Sequence, residues 1–512
     1  MPPSGPLDQA FLLHANGLFA AALAEAQRIL ATQGQDPLLW HLIASCHLDL
    51  DRPEQAAACW REATRLAPEW AAAWFHLGVA LATRERFDLA EAAYRAAVRL
   101  DPGHAEGFYN WGVALAALQR VAEAETAYRE ATRLQPRLAD AHYNLGVVLA
   151  EQQRPDEAEI AWREALAVQP DHPEAWYNLG VHLRDRGEDA HAEAALRAAL
   201  RARPDFPDAL WDLSLLLLAQ ERFAEGWAGF DARLDQNKSN LKLPPVELPF
   251  PQWRGEPLAG RSLMVLPEQG FGDQLQFCRY VPLLKQAGAG MVTLVCPAPL
   301  VPLFATLEGV DRVVAEAGRD ACPPHDCWIH LLSLPHRLGG VLPNTLPYLR
   351  VPGDRLAFWK ERLPASGIRV GLAWQGNPSH PNDRWRSLPG LETLRPLWSL
   401  PGLTFISLQK GSFPAVPELP LLQTGDAWRD FADTAAIVAQ LDLVITIDSA
   451  VAHLAGALGI PCRVLLPARG VDWRWGRGRS ESVWYPKIMR LIHQSRPDTW
   501  SDAIASLTAW LF

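Results

Sequence analysis

Long apolar runs are missing from this 512-residue sequence. The apolar stretch 213–219 falls far short of the roughly 18 to 20 residues that a membrane-spanning helix needs. The first ten residues lack a basic segment ahead of an apolar core, which argues against a secretory signal. We therefore expect a cytoplasmic protein without a membrane span.

Basic residues are fewer than acidic residues, and cysteines are few. The chain has 48 Lys and Arg against 58 Asp and Glu, for a net charge of −10. Wrapping a nucleic acid requires clustered basic side chains, so nucleic acid is not an expected partner. The seven cysteines are odd in number and widely spread, which is typical of a reducing compartment.

One tight group of zinc-type ligand residues occurs, at Cys322, His325, Cys327 and His330. Its spacing matches none of the usual finger or ribbon patterns, and the segment contains two prolines. We interpret it as a loop followed by a short strand, and we expect no metal and no cofactor.

The first half of the chain has a period of 34 residues. One column is mostly aromatic, a second is glycine, a third is alanine and a fourth is proline. The columns are Trp40, Trp74, Phe108, His142, Trp176 and Leu210; Gly78, Gly112, Gly146 and Gly180; Ala56, Ala90, Ala124, Ala158 and Ala192; and Pro68, Pro102, Pro136, Pro170 and Pro204.

This pattern resembles the tetratricopeptide repeat, a 34-residue helix–turn–helix with an early aromatic, a small residue at the helix crossing and a closing proline. It predicts an α-solenoid of about six to seven repeats over residues 1–235. The first and last repeats are degenerate, as expected of capping repeats whose outer faces meet solvent or another domain.

Three asparagines share one position on the first helix of successive repeats: Asn110, Asn144 and Asn178. That helix lines the inside of a tetratricopeptide superhelix. An amide side chain both donates and accepts, so a ladder of asparagines can clasp the backbone of an extended peptide. The alternative is that asparagine is simply common at this position of the repeat.

A proline-rich linker is predicted at 236–256, and a different pattern follows it. Short apolar strands alternate with helices, which predicts parallel α/β architecture. We divide it into sub-domains 257–360 and 361–512, and we expect the C-terminal helix, about 500–510, to pack back on the first sub-domain. The predicted strands are 262–266, 291–296, 369–373, 404–408, 443–447 and 463–466.

Gly270, Gly272 and Asp273 follow the first of these strands, where a helix begins. In an open parallel sheet this edge binds ligands, and the free amides of a helix start favour an anion. A dinucleotide-binding fingerprint would have a third glycine near Leu275, which is absent. Asp273 is a candidate catalytic carboxylate, and a helix cap is the alternative role.

A second strand-to-helix junction lies at Asp448 and Ser449, with His453 about one and a half turns into the helix. The helix start supplies amide donors and a partial positive charge, which suit a nucleotide diphosphate. An arginine-rich segment at 469–479 follows the last clear strand. It is predicted to lie over the donor with Trp473 or Trp475 stacked on the base, or else to be a solvated basic loop.

These two junctions are similar to those of heptosyltransferase-like glycosyltransferases of the GT-B fold, family 9-like. Segments 374–377, 382–387, 430–435 and 484–486 are similar to the bacterial subgroup that joins such a domain to tetratricopeptide repeats. The resemblance implies a double Rossmann-type domain in the second half of the chain.

The resemblance also implies roles for the matching residues. Asp273 is the implied base for the acceptor hydroxyl, and a basic residue among Arg384, Arg386 and Lys410 neutralises the leaving diphosphate. The implied donor site comprises Gly270, Gly272, Trp374, Gln375, Asn377, Arg386, Lys410, Asp448, Ser449, Ala450 and His453.

The expected function is therefore a metal-independent, inverting glycosyltransferase that moves a sugar from a nucleotide sugar to a protein acceptor recruited by the repeats. The Asp-x-Asp match at Asp49 and Asp51 lies in a repeat turn, which argues against metal dependence. Similar two-part bacterial proteins include flagellin glycosyltransferases, which implies flagellin or another surface protein as acceptor. The alternatives are transfer to a lipid-linked or lipopolysaccharide sugar, and an inactive peptide-binding adaptor.

Overall fold

A computed structural model describes residues 6–33, 36–235, 246–411, 421–497 and 499–509. The chain divides into two compact units, 1–209 and 210–512. Among the described residues, no helix has both the length and the apolar character needed to cross a bilayer.

Antiparallel helix pairs fill the first unit, and one further pair follows it. Proline at the first turn starts several of these helices, where its missing N–H would be unpaired in any case. The helices are α1 Pro6–Ala15, α2 Phe19–Gln33, α3 Pro37–Asp49, α4 Pro53–Leu66, α5 Ala71–Ala82, α6 Phe87–Leu100, α7 Ala105–Ala117, α8 Val121–Leu134, α9 Ala139–Glu151, α10 Pro155–Val168, α11 Pro173–Asp185, α12 Asp189–Ala202, α13 Pro207–Ala219 and α14 Phe223–Phe230.

The glycine and alanine columns mark where the two helices of a repeat approach closely. A Cβ atom added to Gly78 would lie 2.6 Å from the Tyr94 ring, and one added to Gly112 would lie 2.6 Å from the Tyr128 ring. The alanines at 56, 90, 124, 158 and 192 are all 0% exposed. The predicted helical solenoid is thus confirmed.

The repeat period and the compact units divide the chain at different places. The periodicity extends through residue 235, whereas α14 and all but the first three residues of α13 belong to the second unit. A short 3-10 helix, Asp231–Leu234, follows α14. Residues 236–245 of the predicted linker lie outside the described residues.

The first sheet of the second unit has four parallel strands in the order β3-β2-β1-β4. β3 is a strand that the sequence pattern did not predict, and β4 is the short strand expected after the cysteine–histidine loop. The elements are β1 Ser262–Leu266, α15 Phe271–Phe277, α16 Val281–Gln286, β2 Met291–Cys296, α17 Val301–Phe304, β3 Arg312–Ala315, β4 Cys327–His330, α18 Leu334–Arg337 and α19 Gly353–Lys360.

The second sheet has six parallel strands in the order β10-β9-β8-β5-β6-β7. Together the two sheets confirm the predicted parallel α/β region, although β7 and β10 were not predicted. The elements are β5 Ile368–Ala373, α20 Asp383–Arg386, β6 Leu403–Ser407, β7 Leu421–Leu422, α21 Phe431–Val438, β8 Leu443–Ile447, α22 Ala450–Leu458, β9 Cys462–Leu466, β10 Met489–His493 and α23 Ser501–Ala509.

Each sheet has a point where the strand order reverses direction. In the first sheet it lies between β1 and β4, and in the second it lies between β5 and β8. Ligands of open parallel sheets bind at such points, outside the carboxyl ends of the strands. The segments that follow β1, β5 and β8 therefore lie at the positions where a ligand would bind.

The C-terminal helix does not follow the prediction. Ile504 and Leu507 of α23 pack in one apolar cluster with Val370 of β5 and Leu394 beside the second sheet. The expectation that this helix packs back on the first sub-domain is wrong for the described residues, because its apolar positions are matched by the outer face of the second sheet. Residues 510–512 lie outside the described residues.

Candidate functional site

Asp273 caps the helix on which it lies. The backbone N–H of Gly270 donates to Asp273 Oδ2 at 2.9 Å, which is one of the two hydrogen bonds of a capping box at the start of α15. The capping role considered from the sequence is therefore real. It leaves Oδ1 of the same carboxylate free to face another group.

That group is Arg474, on the segment between β9 and β10. Its Nη2 donates to Asp273 Oδ1, its Nε donates to Gln276 Oε1 at 2.6 Å, and its Nη1 donates to both oxygens of Asp472 at 2.9 and 3.0 Å. The Arg474 side chain is 8% exposed. Sequence reasoning did not select Arg474, although the arginine-rich segment was the signal that could have identified it.

The opposite wall of the site is the start of α22. Ser449 is its N-cap, and the Ser449 hydroxyl accepts a hydrogen bond from the Val451 N–H at 3.3 Å. A Cβ atom on Gly272 would lie 3.1 Å from His453 Cδ2 and 3.5 Å from Ala450 Cα. Gly272 therefore lets α15 and α22 pack closely, which explains this glycine without any ligand.

His453 is buried and held on two sides. A hydrogen bond of 3.1 Å joins its Nδ1 to the Tyr485 hydroxyl, and its ring stacks on Trp475 with centroids 5.2 Å apart. Burial, together with the positive charges of Arg474 and Arg279, holds the pKa of His453 well below its usual range. The imidazole is therefore neutral at pH 7.

Two carboxylates of the site are easier to protonate than usual. Burial and the nearby charge of Asp472 raise the pKa of Asp448 to about 6, against the opposing charges of Arg386 and Arg474. Burial also raises the pKa of Asp273, and Arg474 opposes that rise. The carboxylates of Asp273, Asp448 and Asp472 thus lie close to two cations, Arg386 and Arg474.

Arg386 is the best placed of the three predicted cations. Its side chain is 17% exposed, lies near Asp383 and contributes to the electrostatic environment of Asp448. Arg384 is exposed, with its guanidinium 4.6 Å from the centre of the Trp385 ring. Lys410 is exposed and lies one residue before the end of the described range 246–411.

The segment after β5 does not present its tryptophan to a ligand. Trp374 is 2% exposed and packs with Leu388 in the core of the second sheet, so its assignment to the donor site is wrong for the side chain. The backbone N–H groups of Trp374 and Gln375 both donate to Gln409 Oε1 at 2.9 Å. The side chains of Gln375 and Asn377 are exposed.

Both tryptophans of the arginine-rich segment pack against aromatic side chains of the protein. Trp475 is 1% exposed and covered by His453. Trp473 packs edge-to-face against Trp227 and Trp484, with centroids 5.7 and 5.8 Å away. The predicted base stacking is therefore wrong for Trp475, and Trp473 is half-buried and engaged by aromatic neighbours within the protein.

Side chains of the cysteine–histidine group form hydrogen bonds or are buried in a strand. His325 contacts the Pro323 carbonyl through Nδ1 and the Thr293 hydroxyl through Nε2, both at 2.8 Å. Cys327 is buried in β4. Across the described ranges, no cluster of three or more His, Cys, Asp or Glu side chains is arranged to hold a metal ion.

The asparagine ladder is partly engaged by tyrosines of the preceding repeats. Asn144 Nδ2 donates to the Tyr109 hydroxyl at 3.4 Å, and Asn178 hydrogen-bonds to the Tyr143 side chain in the same way. The residue equivalent to these tyrosines before Asn110 is Phe75, which has no hydroxyl. The asparagines Asn110, Asn144 and Asn178 are all partly buried, on α7, α9 and α11.

Comparison with known protein families identifies the repeats in the N-terminal half of the chain. The family model of the tetratricopeptide repeat matches residues 41–105, 109–164, 154–205 and 190–237. The N-terminal region is a tetratricopeptide repeat array.

Individual proteins are similar to parts of the chain. Protein FlbA of Caulobacter vibrioides is 30% identical over 304 residues, which cover 53% of this chain and 50% of that protein, so the chain spans about half the length of this curated relative. Among solved structures, YrrB, described as a TPR protein with an unusual peptide-binding site, is 23% identical with a TM-score of 0.33, covering 36% of this chain and 96% of its own. MamA is 22% identical with a TM-score of 0.31, covering 32% and 95%.

The raised pKa of Asp448 predicts how a substitution changes stability with pH. The charged carboxylate is disfavoured in the folded protein, so stability is lost as pH rises from about 4 to about 6. We expect Asp448→Asn to raise the free energy of unfolding at pH 7.5 by roughly 1–3 kcal/mol and to have little effect at pH 4. Chemical denaturation at both pH values measures this.

The matched control is Asp426→Asn, which changes an exposed aspartate of the same unit. It should leave the pH dependence of unfolding as in the unchanged protein. An Asp448→Asn variant that is equally destabilised at pH 4 and pH 7.5 would contradict the electrostatic account of this site.

Proposed function

We propose that this protein is a metal-independent, inverting glycosyltransferase of the GT-B type that transfers a sugar from a nucleotide sugar to a protein acceptor held by the repeats. The observation that carries the proposal is the meeting of Asp273 and the start of α22. These follow β1 and β8, two strands next to the points where strand order reverses. Strand-end positions of this kind bind ligands in open parallel sheets.

In the proposed reaction, Asp273 on α15 and the start of α22 have different roles. The acceptor hydroxyl oxygen forms a bond to the anomeric carbon while the bond from that carbon to the nucleoside diphosphate breaks. Asp273 accepts the hydroxyl proton, and the diphosphate leaves with the bonding electrons. The amides and partial positive charge at the start of α22, with Arg386, stabilise the leaving diphosphate.

Asp273 is suited to this role despite its existing partners. Gly270 and Arg474 each take one carboxylate oxygen, but each oxygen has a second lone pair that can accept from a hydroxyl. The side chain is 19% exposed, so a small group can reach it. Because burial raises the pKa of Asp273, the transfer rate should rise with pH through a pKa above the ordinary 3.8.

An adaptor without transferase activity is the second candidate. The ion pair between Asp273 and Arg474 favours it, because Arg474 opposes the rise in the pKa of Asp273 and occupies one of its oxygens. Flagellin or another surface protein is the acceptor class that we propose for the enzyme. The same class would be the peptide ligand of the adaptor.

The central prediction concerns Asp273→Asn. The amide keeps the size of the side chain but cannot accept a proton, so transfer should fall by roughly 100-fold or more while nucleotide-sugar binding changes little. Transfer assays with a panel of nucleotide sugars and calorimetry of donor binding measure the two effects separately.

Asp430→Asn is the matched control, because Asp430 also caps a helix, accepting from the Ala432 N–H at 2.9 Å at the start of α21. It should retain transfer. A normal rate in Asp273→Asn would leave Asp273 as a cap only. Peptide capture by a wild-type protein that binds no nucleotide sugar would establish the adaptor.

A second prediction concerns acceptor binding by the repeats. Replacing Asn110, Asn144 and Asn178 together with alanine should weaken binding of a flagellin acceptor by about tenfold or more, since each lost hydrogen bond contributes about 1 kcal/mol. Donor binding should not change. Tyr109→Phe is the control, because it removes the inter-repeat hydrogen bond and keeps the amide of Asn144. Normal acceptor binding in the triple variant would place the acceptor elsewhere.

A further inference from the structure

The helix pair α13–α14 closes the repeat period, yet most of it packs within the unit that contains the two sheets. Trp227 and Phe230 of α14 are each 1% exposed. They belong to the same apolar cluster as Leu263 of β1 and Leu275 of α15. This helix pair is therefore part of the core around the candidate site.

Trp227 touches both elements that form the Asp273–Arg474 ion pair. Its ring meets Phe277 edge-to-face with centroids 5.7 Å apart, and Phe277 lies one turn after Asp273 on α15. It meets Trp473 in the same way, also at 5.7 Å, and Trp473 directly precedes Arg474. One buried indole thus lies between the two short segments whose charged side chains meet.

A buried ion pair makes a second connection from the same helix pair. Arg233 follows α14, and its side chain is 0% exposed. Its Nε and Nη2 donate to the two oxygens of Glu268 at 2.5 and 2.8 Å, and Nη2 also donates to the Ser333 hydroxyl at 2.9 Å. Glu268 lies two residues before Gly270, in the segment that leads to Asp273.

The aromatic contacts of Trp227 and the ion pair of Arg233 both hold the segment that carries Asp273. The segment from Glu268 to Phe277 is held at its start by Arg233 and at its end by Trp227. The Arg474 segment is held by Trp227 through Trp473, and its guanidinium lies 4.7 Å from the centre of the Trp473 ring. Buried bidentate ion pairs and edge-to-face aromatic contacts fix orientation as well as distance.

We propose that Trp227 and Arg233 are positioning residues, through which the last helix pair of the repeat array holds the Asp273–Arg474 ion pair in place. The importance of this positioning for catalysis rests on the proposed function. The packing of Trp227 and Arg233 around the ion pair does not depend on that function. The last repeat is then a component of the transferase site as well as the end of the acceptor-binding array, and small displacements there reach the charged groups directly.

A double-mutant cycle tests the coupling without any substrate. Trp227→Leu and Asp273→Asn are made singly and together in the full-length protein, and hydrogen exchange measures the unfolding equilibrium constant of residues 210–512. If Trp227 positions the ion pair, Asp273→Asn should have an effect at least about fivefold smaller in the Trp227→Leu background. Additive effects, within about twofold, would overturn the proposal.

The matched control is Trp162→Leu. Trp162 is also buried on the second helix of a repeat, and the indole N–H groups of Trp162 and Trp227 both lack a hydrogen-bond partner among the described residues. Trp162→Leu should leave the effect of Asp273→Asn on residues 210–512 unchanged. Trp227→Phe should restore the coupling, because phenylalanine can keep the edge-to-face contacts. If Trp227→Leu does not fold, Trp473→Leu removes the same contact from the other side and takes its place in the cycle.

Binding of UDP and GDP then separates this proposal from the proposed function. A nucleotide that binds the unchanged protein should bind Trp227→Leu with similar affinity, but transfer from the corresponding nucleotide sugar should fall at least about tenfold in Trp227→Leu and stay normal in Trp227→Phe and Trp162→Leu. An unchanged transfer rate in Trp227→Leu would overturn the positioning role. If neither nucleotide binds the unchanged protein, the donor assignment fails, whereas the double-mutant cycle still decides whether the helix pair positions the ion pair.

Discussion

The buried guanidinium of Arg474 is the constraint on which the rest of the candidate site depends. A cation with 8% exposure is tolerated only if anionic partners surround it, and here Asp273 and Asp472 supply them. Those partners come from different parts of the chain, so satisfying one charge brings α15 and the segment between β9 and β10 together. The close packing of α15 on α22 then adds Asp448 and His453 to the same space.

Local patterns in the sequence predicted the parts of the protein whose constraints are local. Each repeat must pack on the next in the same way, so the glycine and alanine columns are visible 34 residues apart, and strand-to-helix junctions at Asp273 and Asp448 have their own signature. Arg474 was missed because its partner Asp273 lies 201 residues away. Trp374 was misassigned because a motif position does not reveal which face of a segment becomes core.

The last helix pair belongs to the repeat period and, for the most part, to the second compact unit. An array that ends in a separate capping repeat would protect its final apolar face with polar residues. Here Trp227, Phe230 and Arg233 instead serve the core and the ion pairs of the second unit, so the end of the repeats and the start of the candidate transferase share residues.

Hydrogen–deuterium exchange of the full-length protein, with and without a panel of nucleotide sugars, shows whether the strand ends of the two sheets bind a donor. A ligand at 100 times its dissociation constant should stabilise its site by about 2.7 kcal/mol, which slows exchange readily. If the strand ends bind a donor as proposed, exchange should slow in the segments after β1 and β8, in α20 with Arg386 and around Arg474, and not in the repeats. Exchange unchanged by every nucleotide sugar, or slowed only in the repeats, would contradict donor binding at these strand ends.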